Sequence, residues 1–162
     1  MKVCDAWIRG QEDPRTNAAA ISLICATTAL AAQNFTGATT AHGLFKIPAD
    51  DIDDDAAEES FIESRLPDFP GAHELIKTSR FIAWDEFPSA HRQIFEACYA
   101  ITNEFERKIL LCTGDLRQLT PVVKSVSVQD QLRASIVYSA LWPNFEKFTL
   151  HQNFRQAADL EY

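Results

Sequence analysis

The chain has 162 residues, of which 46% are hydrophobic and 23% charged, a balance that fits one soluble globular domain and excludes collagen-like, fibrous and wholly disordered chains. Acids outnumber bases by 23 to 15, a net charge of -8, which excludes a small basic nucleic-acid clamp but not a local groove that holds nucleic acid. Only five residues are glycine, which matters because phosphate-binding loops are built on glycine.

In chain order, Val3–Gln11 reads as the tail of an amphipathic helix and Gln11–Asn17, with Pro14, as a loop. Ala18–Cys25 is an apolar run broken only by Ser22, as expected of a strand buried on both faces. Thr27–Phe35 comes next as a short helix with Thr27 or Thr28 as its N-cap. Ala49–Glu59 carries seven acids, and with the irregular segment to Pro70 reads as a solvated, mobile insertion. Phe81–Trp84 is a second apolar run and ends in Asp85-Glu86. Pro88-Ser89 opens a helix with Ile94, Ala97, Cys98, Ile101 and Phe105 along one stripe. Ile109–Thr113 is a third run, stopped by Gly114-Asp115. Val128–Ser135 reads as a helix and Phe145–Leu150 as a further strand.

Short apolar runs alternating with helices imply an α/β domain with a mostly parallel sheet flanked by helices. Ligands of such sheets bind beyond the carboxyl ends of the strands. Two of the runs end in acids at that edge. An acid at a buried strand tip suits Mg2+, which keeps much of its water shell, and a second acid beside it can orient or deprotonate an attacking water. Gln118, just past the third run, offers a carboxamide that can donate to a terminal phosphate and accept from that water. By themselves these features also fit a solvated strand end and a polar turn.

Other chemistries find no pattern. The four cysteines, Cys4, Cys25, Cys98 and Cys112, form no C-x-x-C pair, and Cys25 and Cys112 sit in apolar runs as small buried hydrophobes. The histidines, His42, His73, His91 and His151, form no H-x-x-x-H pair, and no G-x-S-x-G elbow occurs. Trp7, Trp84 and Trp142 read as core residues. No run reaches the ~18 apolar residues of a membrane helix, the start resembles neither a secretory signal nor a transit peptide, and no membrane partner is expected.

Three segments resemble the Pif1-like group of superfamily 1 DNA helicases, including Helitron-type helicases. Thr28–Ala32 through Gly37–Pro48 resembles motif Ia, Trp84-Asp85-Glu86-Phe87-Pro88 motif II, and Gly114–Val122 motif III. Leu141-Trp142-Pro143 and Leu150–Arg155 match the family's pattern beyond motif III, the latter resembling motif IV. The resemblance spans roughly residues 18–156 and implies a partial RecA-like P-loop NTPase domain over 1–162, with 49–70 as its acidic insertion. It also implies ATP-dependent 5′-to-3′ DNA unwinding in repair, recombination or telomere maintenance. By matching positions, Asp85 would hold Mg2+, Glu86 would be the catalytic base, Gln118 would sense the γ-phosphate and Arg155 would act as an arginine finger. Thr40 and His42 would touch the single-stranded DNA backbone. The implied partners are ATP, single-stranded DNA and duplex junctions, and a second RecA-like domain; the implied compartment is the nucleus or mitochondrion, with no targeting signal in the chain.

The sequence departs from that family in three ways. No G-x-x-x-x-G-K-[ST] loop is present, and Met1–Gln11 resembles the helix that would come after one. The expectation is a chain that begins after the loop, stops before the second domain and hydrolyses ATP poorly on its own. An unpaired sheet flank then predicts marginal solubility. Phe87 and Leu116 stand where the family more often has a small residue and Phe. The alternative is a truncated remnant that binds single-stranded DNA weakly or an acidic interaction module.

Overall fold

The computed structural model describes residues 12–13, 18–19, 21–48, 62–103, 108–118, 121 and 127–150. The acidic segment 49–59, the N-terminal helix, Trp7, Phe105 and Arg155 lie outside them. Two short strands, β1 (Glu12–Asp13) and β2 (Ala18–Ala19), pair antiparallel. The main sheet is built from β3 (Ile21–Ala26), β4 (Thr39–Thr40), β5 (Ser79–Asp85) and β6 (Ile109–Cys112) in the order β4-β3-β5-β6, all parallel.

Central β5 explains why its sequence reads as unbroken apolar. Ile82 and Trp84 point into the main core with Cys25, while Phe81 and Ala83 pack on the other face with Ile24 and Leu111. Period-two geometry puts alternate side chains on opposite faces, and both faces are filled. Phe81, Ile82, Ala83 and Trp84 are all buried.

The helices are α1 (Ala29–Ala32), α2 (Ala41–Phe45), α3 (Pro70–Thr78), α4 (Arg92–Asn103) and α5 (Val128–Ala134). α3 starts at Pro70, whose fixed φ and missing N–H suit a first helical position. α4 buries Ile94, Phe95, Ala97, Cys98 and Ile101, the expected stripe. These side chains join Leu44 and Phe45 of α2, Ile76 of α3 and Ile136 in one core over the Ile82–Trp84 face.

Phe87 explains one departure from the family pattern. It lies 2% exposed in a 3-10 turn, Phe87–Ser89. Its ring meets Trp84 edge-on at 5.2 Å and Phe95 at 5.1 Å, and stacks with Phe145 at 6.4 Å. Phe145 also packs on Trp142 at 6.3 Å. This aromatic wedge overturns the strand expected over Phe145–Leu150, where the backbone is irregular. Phe145 is drawn into the wedge, whereas Phe148 and Leu150 are 80% and 95% exposed. Among the described residues Phe145–Leu150 pairs with none of the strands, and a single segment left unpaired does not hold as a strand.

Candidate functional site

β3, β5 and β6 end level with one another. Ala26 pairs with Asp85, and Trp84 with Cys112. The next residues along each chain segment, Thr27-Thr28, Glu86 and Thr113, therefore emerge together at the carboxyl edge.

Asp85 is half-buried at the tip of β5. Its Oδ1 accepts a hydrogen bond from the Thr113 hydroxyl at 2.8 Å. Backbone bonds hold the same seam: Thr113 N–H donates to Trp84 C=O at 2.9 Å, and Phe87 N–H to Thr113 C=O at 3.0 Å. A carboxylate beside a hydroxyl is a hard-oxygen donor set of the kind Mg2+ accepts. Among the described residues no group of three or more His, Cys, Asp or Glu side chains gathers.

Glu86 is exposed and has φ +50, a left-handed conformation that costs a non-glycine residue about 1–2 kcal/mol. It persists because its surroundings fix it at several points. Its carbonyl accepts from the hydroxyls of Thr27 at 2.8 Å and Ser89 at 2.7 Å. Its carboxylate Oε2 accepts from the Thr28 hydroxyl at 2.8 Å. Thr27 Oγ1 in turn accepts from the buried Trp84 indole N–H at 3.0 Å, the partner that a buried tryptophan needs.

Gly114 leads out of β6 with φ +151, and a Cβ there would run into the Pro88 ring. The glycine thus lets the segment after β6 lie against the turn after β5. In that segment Asp115 is the organiser. Its Oδ1 accepts from the Arg117 backbone N–H at 2.9 Å and from Arg117 Nε at 3.2 Å. Its Oδ2 accepts from Gln118 Nε2 at 3.3 Å. The Arg117 N–H, with its guanidinium second, holds the Asp115 carboxyl below its ordinary value of 3.8. Gln118 is exposed.

Thr40 and His42 occupy the far side of β3. Thr40 caps α2, its hydroxyl accepting from Gly43 N–H at 3.1 Å. A Cβ on Gly43 would stand 2.8 Å from Thr39 Oγ1, so only glycine leaves both threonine hydroxyls their positions. His42 is half-buried, and burial pushes its pKa below the usual 6.5. Burial thus disfavours its cationic form.

Asp85 and Glu86 are thus brought together, with the turn carrying Gln118 anchored beside them through Thr113 and Gly114. Thr40 and His42 form a separate cluster at the same sheet edge. In sequence Thr27 and Thr28 read as candidate helix caps, Thr28 also opening the segment that resembles motif Ia, and Thr113 only as the end of an apolar run. The available signal was a hydroxyl residue close behind the apolar stretches of β3 and β6. Cys25 is buried as expected, its thiol pushed up to about 12, and Cys98 is buried in α4. Cys112, expected buried, is half-buried, though burial raises its thiol too, and Cys4 lies outside the described residues.

A parallel sheet flanked by helices, with polar residues crowding one edge, defines an α/β domain with a site at the carboxyl ends of its strands. The PIF1-like helicase family matches residues 14–161, and the chain belongs to that family. Comparison with curated proteins finds no match. Among solved structures, the Pif1 helicase from Candida albicans superposes with a TM-score of 0.63 at 21% identity, covering 86% of this chain and 31% of that one. The Bacteroides Pif1 helicase in complex with ADP-AlF3 and ssDNA gives 0.53 at 23% identity, covering 74% of this chain and 29% of that one. These likenesses carry the fold, and the chain spans about three tenths of either helicase.

Proposed function

We propose that this chain forms part of the first RecA-like domain of an ATP-dependent 5′-to-3′ DNA helicase and contributes the hydrolytic edge of its nucleotide site. The observation that carries the reading is the pair of side-chain bonds, Thr113 to Asp85 and Thr28 to Glu86, which keep two adjacent acids at one sheet edge. Family membership supports it, as does the Bacteroides relative in complex with ADP-AlF3 and ssDNA.

In this reading Asp85 would hold Mg2+, which would supply positive charge to offset that of the phosphates. Glu86 accepts the proton of the attacking water. Gln118 sets the water and terminal phosphate by donating through its N–H2 and accepting through its C=O. Arg155 brings positive charge to the transferring phosphoryl group. Thr40 and His42 give hydroxyl and N–H donors to the DNA backbone, contacts that position a strand without reading its sequence.

The test is DNA-stimulated ATP hydrolysis by the polypeptide expressed from the complete reading frame that carries these residues. Glu86→Gln should lower turnover by about 10²–10⁴-fold while ATP still binds. Turnover unchanged in that variant overturns the reading.

A further inference from the structure

Thr28 makes two bonds with one hydroxyl. Its Oγ accepts from Ala31 N–H at 3.1 Å, as the N-cap of α1, and donates to Glu86 Oε2 at 2.8 Å. The cap bond holds the Thr28 rotamer, so the hydroxyl proton is directed at the carboxylate. The two residues are 58 positions apart in sequence and meet only because β3 and β5 end at the same level. The Glu86 main chain is fixed independently by Thr27 and Ser89. Its backbone is therefore set by one group of hydroxyls and its carboxylate by another.

We propose that Thr28 is a positioning residue for the Glu86 carboxylate: by holding Oε2 it fixes the direction in which Oε1 faces the attacking water. This rests on the reading of Glu86 as the base. Held in this way the carboxylate does not have to be oriented anew in each turnover, so the effect falls on the chemical step and not on nucleotide affinity. Thr28 lies in the segment between β3 and β4, and β4 ends in the α2 cap, Thr40. A strand of DNA at Thr40 and His42 would thus bear on the same segment that holds the base.

Variants at Thr28 separate the two bonds. Ser keeps both. Asp and Gly are accepted at helix N-caps, but ionised Asp cannot donate and Gly has no side chain. In the polypeptide from the complete reading frame, Thr28→Ser should retain kcat within about twofold, because it conserves both bonds. Thr28→Asp and Thr28→Gly should lower kcat on the order of 10- to 100-fold, the cost of a misdirected catalytic group, with KM for ATP unchanged. A kcat for Thr28→Asp or Thr28→Gly equal to that of Thr28→Ser overturns the proposal and leaves Thr28 a cap. A rise in KM with kcat unchanged overturns it as well. Glu86→Gln with full turnover, or a parent polypeptide without DNA-stimulated hydrolysis, would instead remove the reading beneath it.

Discussion

Asp115 determines how the turn after β6 presents Gln118, because its two oxygens hold Arg117 and Gln118 separately. Its carboxyl is held below 3.8 chiefly by the Arg117 backbone N–H. A lowered folded pKa means that the unfolded chain binds the proton more readily, so the turn's contribution to stability is present above the unfolded value. It is lost as pH falls through the folded one. Carboxyl NMR should find Asp115 titrating below 3.8. Arg117→Ala should raise that midpoint only partway, since the backbone donor remains; a midpoint already at the ordinary value in the parent chain would contradict the geometry. Gly114 is the other decisive residue on this turn. Gly114→Ala should destabilise the fold by about 1–3 kcal/mol through backbone strain and the collision with Pro88. An unmoved urea midpoint would refute this.

At the scale of elements, the seams between strands are closed by side chains that the strands do not own. Lys108 precedes β6, yet its Nζ reaches the carbonyls of Ile76 at 2.5 Å, Lys77 at 3.1 Å and Ser79 at 2.7 Å. It thereby places a cation at the C-terminus of α3, where the helix dipole favours one, and ties the start of β5 to its neighbour. Lys108→Met keeps most of the stem and removes these donors. It should cost about 1–3 kcal/mol, as expected when buried acceptors lose charged partners, read as a fall in the denaturation midpoint. The local grammar of these elements was plain in the chain. The apolar runs became β3, β5 and β6, Thr28 became a cap, and the stripe of Ile94, Ala97, Cys98 and Ile101 faces the core. But the run expected over Ala18–Cys25 is split, Ala18–Ala19 pairing as β2 with Glu12–Asp13, which read as loop. The run at Phe145–Leu150 misled because hydrophobicity does not by itself make a strand. Its leading ring was taken by Phe87, Phe95 and Trp142.

At the scale of the molecule, the acids and hydroxyls stand on the edge opposite Lys108, and Thr40 and His42 share that edge across β3. The 162-residue chain contains no G-x-x-x-x-G-K-[ST] loop, and backbone N–H groups of such a loop are what cradle the phosphates. ATP hydrolysis by this chain alone should therefore stay at background. Mg2+-dependent turnover that Glu86→Gln abolishes would contradict this.

By itself the sequence determined the class of fold, the family and which polar residues end its strands, because these depend on periodicity and on motifs local in the chain. The tertiary structure decided which of those residues meet. Thr28 finds Glu86, Thr113 finds Asp85 and Trp84 finds Thr27 across 58, 28 and 57 positions. Such contacts arise from strand order and register, which pack distant segments side by side and leave no trace in local pattern.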